Sequence, residues 1–305
     1  MTPRIALVHL AAGITGLCLS CSAIAELPKS SMQHGTLQLA YLAGSTLRLA
    51  SVNPGSARAT VAVAWQLPRG EGTEDYAGLA CGPDGRLAAH RVSVVRSPQP
   101  RQTAQVVFLD AARRTVKPIE PDRAITLMWP VWSPDGKSIA ATTVEDGRDS
   151  VATVSLATGT VRVYNSDRRL SPRAWPPGES RILATGTDPS GNSWTTVSID
   201  LVSGASSTVT SGGRAISSGH PPKLAVLERE LGDIAVLEDG ALKAKTSKGA
   251  FRDLVAWIDD STVLAIESRG PRDRLALVDI RLDRVRPIEI EANERINSAC
   301  VISSP

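Results

Sequence analysis

Helical periodicity is nearly absent from this sequence of 305 residues: apolar residues alternate in short runs instead of recurring every three or four positions, which excludes a helical bundle as its frame. Histidine is scarce as well. Of four histidines, three lie beyond the first 25 residues, His34, His90 and His220, and they are too scattered to argue for a metal centre. Net charge is small: 34 basic and 31 acidic residues leave +3, so the charge footprint of a nucleic-acid binder is missing. Arginine outnumbers lysine 27 to 7, which we read as coding bias before function. The sequence has no Gly-x-Ser-x-Gly elbow, no His-Glu-x-x-His and no P-loop, so the common hydrolase, zincin and nucleotide motifs are missing. Beyond residue 25 no apolar run reaches the roughly 18–20 residues of a membrane span.

Residues 1–25 stand apart. Arg4 supplies a positive start, Ile5 to Leu19 is apolar, and Ala23-Ile-Ala25 fits the small-x-small rule for leader cleavage before Glu26. The reading is an export signal, followed by a lead-in over 26–35, and hence a periplasmic or secreted protein. A lipoprotein anchor at Cys18 or Cys21 is the rival, although Cys18-Leu19-Ser20 precedes Cys21 where a lipobox has Leu first. The chain beyond the leader keeps two cysteines, Cys81 and Cys300, in a compartment where disulfides persist.

What the chain has in quantity is a repeated unit: an apolar strand, a Pro-Asp-Gly turn, and more strands. Its best copy is Pro130-Val-Trp-Ser-Pro-Asp-Gly136 followed by Ile139-Ala-Ala141. Pro134 presets φ in a type I turn, and Gly136 accepts the positive φ that closes it. Worn copies end at Gly85 and Gly178, intervals of 51 and 42 residues on either side of Gly136. Four strands per unit at such a period predict a β-propeller. The first unit, from Leu37 to Trp65, has only three strands, while Ile296 to Ile302 is a strand with no unit of its own. Placed ahead of Leu37 it completes the first blade and removes two open sheet edges. The expectation is an all-β, six-bladed β-propeller of four-stranded antiparallel blades over 36–305, closed by the C-terminal strand, and acting as a monomer.

Ala80-Cys81, Val131-Trp132, Ala174-Trp175, Ala256-Trp257 and Ala299-Cys300 share one register just ahead of the turns, with Ser217-Ser218 as the polar copy. The tryptophans there are expected to pack between blades. Cys81 and Cys300 fall at this register in neighbouring blades, but equivalent points on adjacent blades often exceed the ~7 Å Cα limit for a bridge, so paired and free thiols both stay open.

Trp132-Ser-Pro-Asp-Gly-Lys137 with Ile139-Ala-Ala, and Leu156-Ala-Thr-Gly159 later, resembles the repeat of TolB-like propellers, also called PD40 or WD40-like repeats, over roughly residues 36–305. The resemblance implies a periplasmic or extracellular propeller that binds other proteins. The α/β domain carried ahead of some such propellers has no room between Glu26 and Leu37, and no hydrolase domain of the prolyl-oligopeptidase kind is expected after the repeats.

Acidic stretches at Glu145-Asp-Gly-Arg-Asp149, at Asp188-Pro-Ser-Gly-Asn192 and around Glu228-Arg-Glu230 and Asp233 lack a full calcium-loop spacing and read as solvated hairpin loops. No cofactor, metal or catalytic residue is assigned. The functional expectation rests on loops. Those between strands two and three of each blade carry Arg96, Arg101, Arg148, Arg229, Arg269 and Arg272; those joining blades carry Arg69, Arg123, Arg168, Arg169 and Arg295. Both sets emerge on one face around the channel mouth, where arginine suits a protein or peptide interface in the envelope or outside the cell. The alternative is a propeller enzyme, a hydrolase or lyase acting on a carbohydrate or small molecule through channel carboxylates supplied by different blades.

Overall fold

The computed structural model describes residues 35–69, 73–95, 101–145, 147–187, 194–217, 223–227, 232–247, 249–269, 272–290 and 295–302, with the backbone alone at 73, 95, 101, 102, 215, 217, 269 and 272. The expected leader, the anchor alternative and most of the lead-in lie outside the described residues.

Among the described residues, twenty-four strands make six four-stranded antiparallel sheets. Blade 1 begins with β1 (Leu37–Ala43), β2 (Thr46–Asn53) and β3 (Arg58–Gln66). Blade 2 is β4 (Thr73–Cys81), β5 (Leu87–Val95), β6 (Arg101–Asp110) and β7 (Thr115–Pro118). Blade 3 is β8 (Met128–Trp132), β9 (Ser138–Glu145), β10 (Arg148–Ser155) and β11 (Val161–Tyr164). Blade 4 is β12 (Arg169–Ala174), β13 (Arg181–Thr187), β14 (Trp194–Asp200) and β15 (Ser206–Ser211). Blade 5 is β16 (Arg214–Ser217), β17 (Lys223–Leu227), β18 (Ile234–Glu238) and β19 (Ala241–Lys245). Blade 6 is β20 (Phe251–Trp257), β21 (Thr262–Arg269), β22 (Arg272–Asp279) and β23 (Arg284–Pro287). The last strand, β24 (Ile296–Val301), returns to pair with β1 and supplies the innermost strand of blade 1. The innermost strands β24, β4, β8, β12, β16 and β20 touch one another in that order and back to β24, which closes the ring.

The Ser-Pro-Asp-Gly turn behaves as its residues dictate. Gly136 has φ +67°, and its N–H donates to the Ser133 carbonyl at 2.9 Å. The Asp135 carboxylate accepts from the Ser133 hydroxyl at 2.6 Å and from the Lys137 N–H at 3.0 Å, which holds its pKa below the usual carboxylate value. The blade 2 copy is coupled to it, because Arg86 Nη2 donates to the Gly136 carbonyl at 2.6 Å and the Arg86 guanidinium lies 4.6 Å from the Trp132 ring centroid. Trp132 is buried, stacks on Phe108, and donates from Nε1 to the Ala80 carbonyl at 3.2 Å, so it packs between blades 2 and 3.

Apolar clusters fill five junctions between blades: 6 with 1, 1 with 2, 2 with 3, 3 with 4, and 5 with 6. Among the described residues the junction of blades 4 and 5 has no such cluster. The cause lies in alternation along β14, where Val197 and Ile199 face blade 3 and the intervening Thr196 and Ser198 take the other side. Thr196 donates to the Gly213 carbonyl at 3.4 Å across that junction.

The closing strand is held in several ways. β24 pairs with β1 from Leu39↔Val301 to Ala43↔Ile296, and Arg252 Nη2 of blade 6 donates to the Ile296 carbonyl at 2.6 Å. Cys300 on β24 is joined by a disulfide to Cys81 on β4, with Cα atoms 5.6 Å apart. These two strands are both innermost, where the ring is narrowest, so equivalent positions on adjacent blades come within bridging distance. The bridge closes a loop with a sequence separation of 219 residues, for which the chain-entropy picture gives about 5 kcal/mol. Replacing both cysteines by serine should therefore lower the free energy of urea unfolding by about 2–5 kcal/mol. Two free thiols in the non-reduced protein by mass spectrometry, or an unchanged unfolding midpoint, would contradict this.

Candidate functional site

The innermost strands build the site. Five of them carry a β-bulge, between Ala77 and Ala80, Met128 and Val131, Pro172 and Ala174, Leu254 and Ala256, and, opposite Leu42 and Ala43, between Ser298 and Ile296. A bulge inserts an extra residue and re-aims the side chains around it. Every blade contributes to the lining of the central cavity, and the residue just ahead of the register noted in the sequence is part of that lining in all six: Ser298, Leu79, Pro130, Arg173, Ile216 and Val255. That cavity has a volume of about 390 Å³. Cys81, Trp132, Trp257 and Cys300 belong to the same lining.

Among the described residues, three charged ones line the cavity: Arg173, Arg214 and Asp253. Arg214 and Asp253 occupy equivalent places on β16 and β20, and Arg214 Nη1 lies 3.0 Å from Asp253 Oδ2. Arg173 Nε donates to Thr185 Oγ1 at 3.2 Å, on the polar side of blade 4. Burial, with the Arg214 charge as a second cause, lowers the Arg173 guanidinium to about 10, opposed by Asp253. Asp253, the single carboxylate lining this cavity among the described residues, is therefore held in an ion pair.

A second group sits on the blade 2 and blade 3 side. Trp129 has φ +53° at the β8 bulge and is 38% exposed although it lies on an innermost strand. It is wedged against His90, ring centroids 4.4 Å apart at 64°, and its N–H makes a 3.4 Å hydrogen bond to His90 Nδ1. Gly78 makes the room: with φ +60°, a Cβ there would fall 2.8 Å from both His90 Nδ1 and Trp129 Cε3. His90 thus sits in a tight interior niche, and His34 and His220 lie outside the described residues.

The loop arginines are placed as follows. Arg69 Nη2 donates to Ser45 Oγ at 3.4 Å, Arg123 to Glu145 at 2.9 Å, Arg168 Nη1 to Thr195 Oγ1, and Arg295 Nε to Asp273 at 3.1 Å. Each of these bonds joins a connection between blades to a middle hairpin, so the two kinds of loop meet on one face. Arg148 and Arg169 are exposed on that face. A hollow of about 340 Å³ there is lined by Glu145, Arg148, Ser150, Asn165 and Ser166. Arg101, Arg269 and Arg272 have described backbone only, with Arg269 and Arg272 paired across the β21–β22 hairpin, and Arg96 and Arg229 lie outside the described residues.

Sequence reasoning singled out the loop arginines and did not single out Arg173, Arg214, Asp253 and Trp129 as a channel set. A signal existed: in the column Leu79, Pro130, Arg173, Ile216, Val255 and Ser298, Arg173 is the only charged residue. The bulges on these strands were not readable.

No protein-family model matches the chain, and no curated protein matches it in sequence. Solved structures do match. TolB from Acinetobacter baumannii superposes with a TM-score of 0.65 at 16% identity, covering 87% of this chain and 66% of that one. A chain of the nidogen/laminin complex gives 0.65 at 10% identity, over 89% of this chain and 100% of that one. A puromycin-hydrolyzing peptidase from Mycobacterium tuberculosis gives 0.54 at 16% identity, over 86% of this chain and 46% of that one. This chain therefore spans just under two thirds of the TolB chain and less than half of the peptidase.

Burial lowers the His90 imidazole to about 4, against a weaker opposing pull from Asp75. The folded protein thus resists a proton that the unfolded chain accepts below its ordinary value near 6.5. Stability should be full above about pH 6.5 and fall by up to about 3 kcal/mol as the pH drops towards 4. Urea unfolding of the protein and of His90→Gln at pH 7 and pH 4.5 tests this: the variant should lose part of the pH dependence, and identical slopes would remove His90 from the account. The backbone and sheet order establish the fold this chain shares with TolB, a six-bladed β-propeller closed by its last strand.

Proposed function

We propose that this protein is exported and recognises a protein or peptide partner of the cell envelope or the extracellular space through its charged loop face and channel mouth. The observation that carries the reading is the construction of that face. Arg69, Arg123, Arg168 and Arg295 spend their donors on tying neighbouring loops together, while Arg148 and Arg169 stay exposed beside the hollow lined by Glu145, Asn165 and Ser166. A preorganised, arginine-bearing surface is suited to binding because less ordering entropy is lost on contact.

Two further points support the reading. The Cys81–Cys300 bridge suits an oxidising compartment, in keeping with the leader-like residues 1–25 and Ala23-Ile-Ala25. The nidogen/laminin chain shows that a propeller of this length takes part in a protein complex.

The test is cross-linking and co-purification from the native host with the protein and with a double variant, Arg148→Glu with Arg169→Glu. Both positions are exposed, so folding should be retained, with thermal unfolding within about 0.5 kcal/mol of the parent. A partner recovered with the parent should be lost with the double variant. Undiminished recovery would take the interface off this face.

A further inference from the structure

The ring carries one charged residue in its innermost column, Arg173, where the other five blades have Leu79, Pro130, Ile216, Val255 and Ser298. A guanidinium has five N–H donors. Nε of Arg173 donates to Thr185 Oγ1, and no described residue accepts a hydrogen bond from its Nη groups or pairs with its charge at contact distance. Its neighbour Arg214 is engaged with Asp253. The cavity walls thus present two guanidiniums against one carboxylate, an excess of one positive charge within about 390 Å³.

Holding a cation in such a place without a counterion opposes folding unless its donors are met. The polar junction of blades 4 and 5 meets one of them, through Thr185. An anion would meet the rest. The planar fork of arginine matches a carboxylate with two parallel hydrogen bonds, and a single excess charge matches a monoanion better than a doubly charged phosphate. Trp129 lines the same cavity and offers part of its ring to an apolar or aromatic body attached to that carboxylate.

We infer that the central channel is a receptor site for a carboxylate ligand, which Arg173 binds directly and Arg214 attracts. The channel lining shares no residue with the hollow on the loop face, and the site stands whether or not that face binds a protein. Two sources share the chemistry, the C-terminal carboxylate of a peptide and a free small acid.

Calorimetric titration of the full chain at low salt tests the inference, with benzoate against benzamide and the tripeptide Gly-Gly-Phe against its C-terminal amide. At least one acid should bind at a single site about tenfold or more tighter than its amide, since the amide leaves charged donors unmet. Benzoate alone would mark a small acid as the source, and tighter binding of the tripeptide acid a chain terminus. Arg173→Gln should weaken the acid by about tenfold or more, with Arg173→Lys in between, while the double variant at Arg148 and Arg169 binds as the parent does. A crystal soaked in 4-bromobenzoate gives a reading that needs no variant: bromine anomalous signal in the channel beside Arg173. The inference fails if neither acid binds up to about 10 mM, if acid and amide bind alike, if Arg173→Gln leaves acid binding unchanged, or if the bromine sits elsewhere.

Discussion

The pairing of β24 with β1 is the constraint on which the rest of the structure depends. A blade with three strands and a stray C-terminal strand would leave two open edges, and the register from Leu39↔Val301 to Ala43↔Ile296 removes both. Everything set around the closing strand reinforces this. Arg252 holds the Ile296 carbonyl, Asp273 is buried between Arg252 and Arg295, and the Cys81–Cys300 bridge ties β24 to the next blade. Once closed, each blade covers its neighbours, and apolar side chains can be buried on both faces of a sheet.

Closure also decides what the inner strands can do. Each inner strand brings one residue of a shared column to the channel lining, and at five blades that residue is uncharged. At blade 4 it is Arg173, and the same blade supplies the polar side where Thr185 receives it. The ring is thus least apolar where it holds its unpaired charge, while blades 1, 2 and 6 carry the apolar packing that closes it. Apolar packing and unpaired charge are placed in different parts of the circle.

Much of the architecture was legible in the sequence because the signals are local. Pro134, Asp135 and Gly136 specify a turn by their own backbone preferences, and counting their worn copies counts blades. The closing strand was legible because Ile296 to Ile302 had no partner in its own neighbourhood. The loop arginines were visible as charges in loops, but their bonds were not: Arg69 to Ser45 or Arg123 to Glu145 depend on how neighbouring hairpins lean. Arg173 was hidden for a related reason. It sits between Pro172 and Ala174 on a strand whose bulge reverses the simple alternation, and its neighbours Arg214 and Asp253 come from two other blades. Convergence across a ring leaves no spacing rule in the chain.

The central claim, that β24 is an integral strand of the first blade and the lock of the ring, is tested most directly by native-state hydrogen exchange. The account predicts that amides of Tyr41, Leu42, Ser298 and Cys300 belong to the slowest class and exchange only with global unfolding. Exchange of β24 through a local opening, with the other blades still protected, would contradict it.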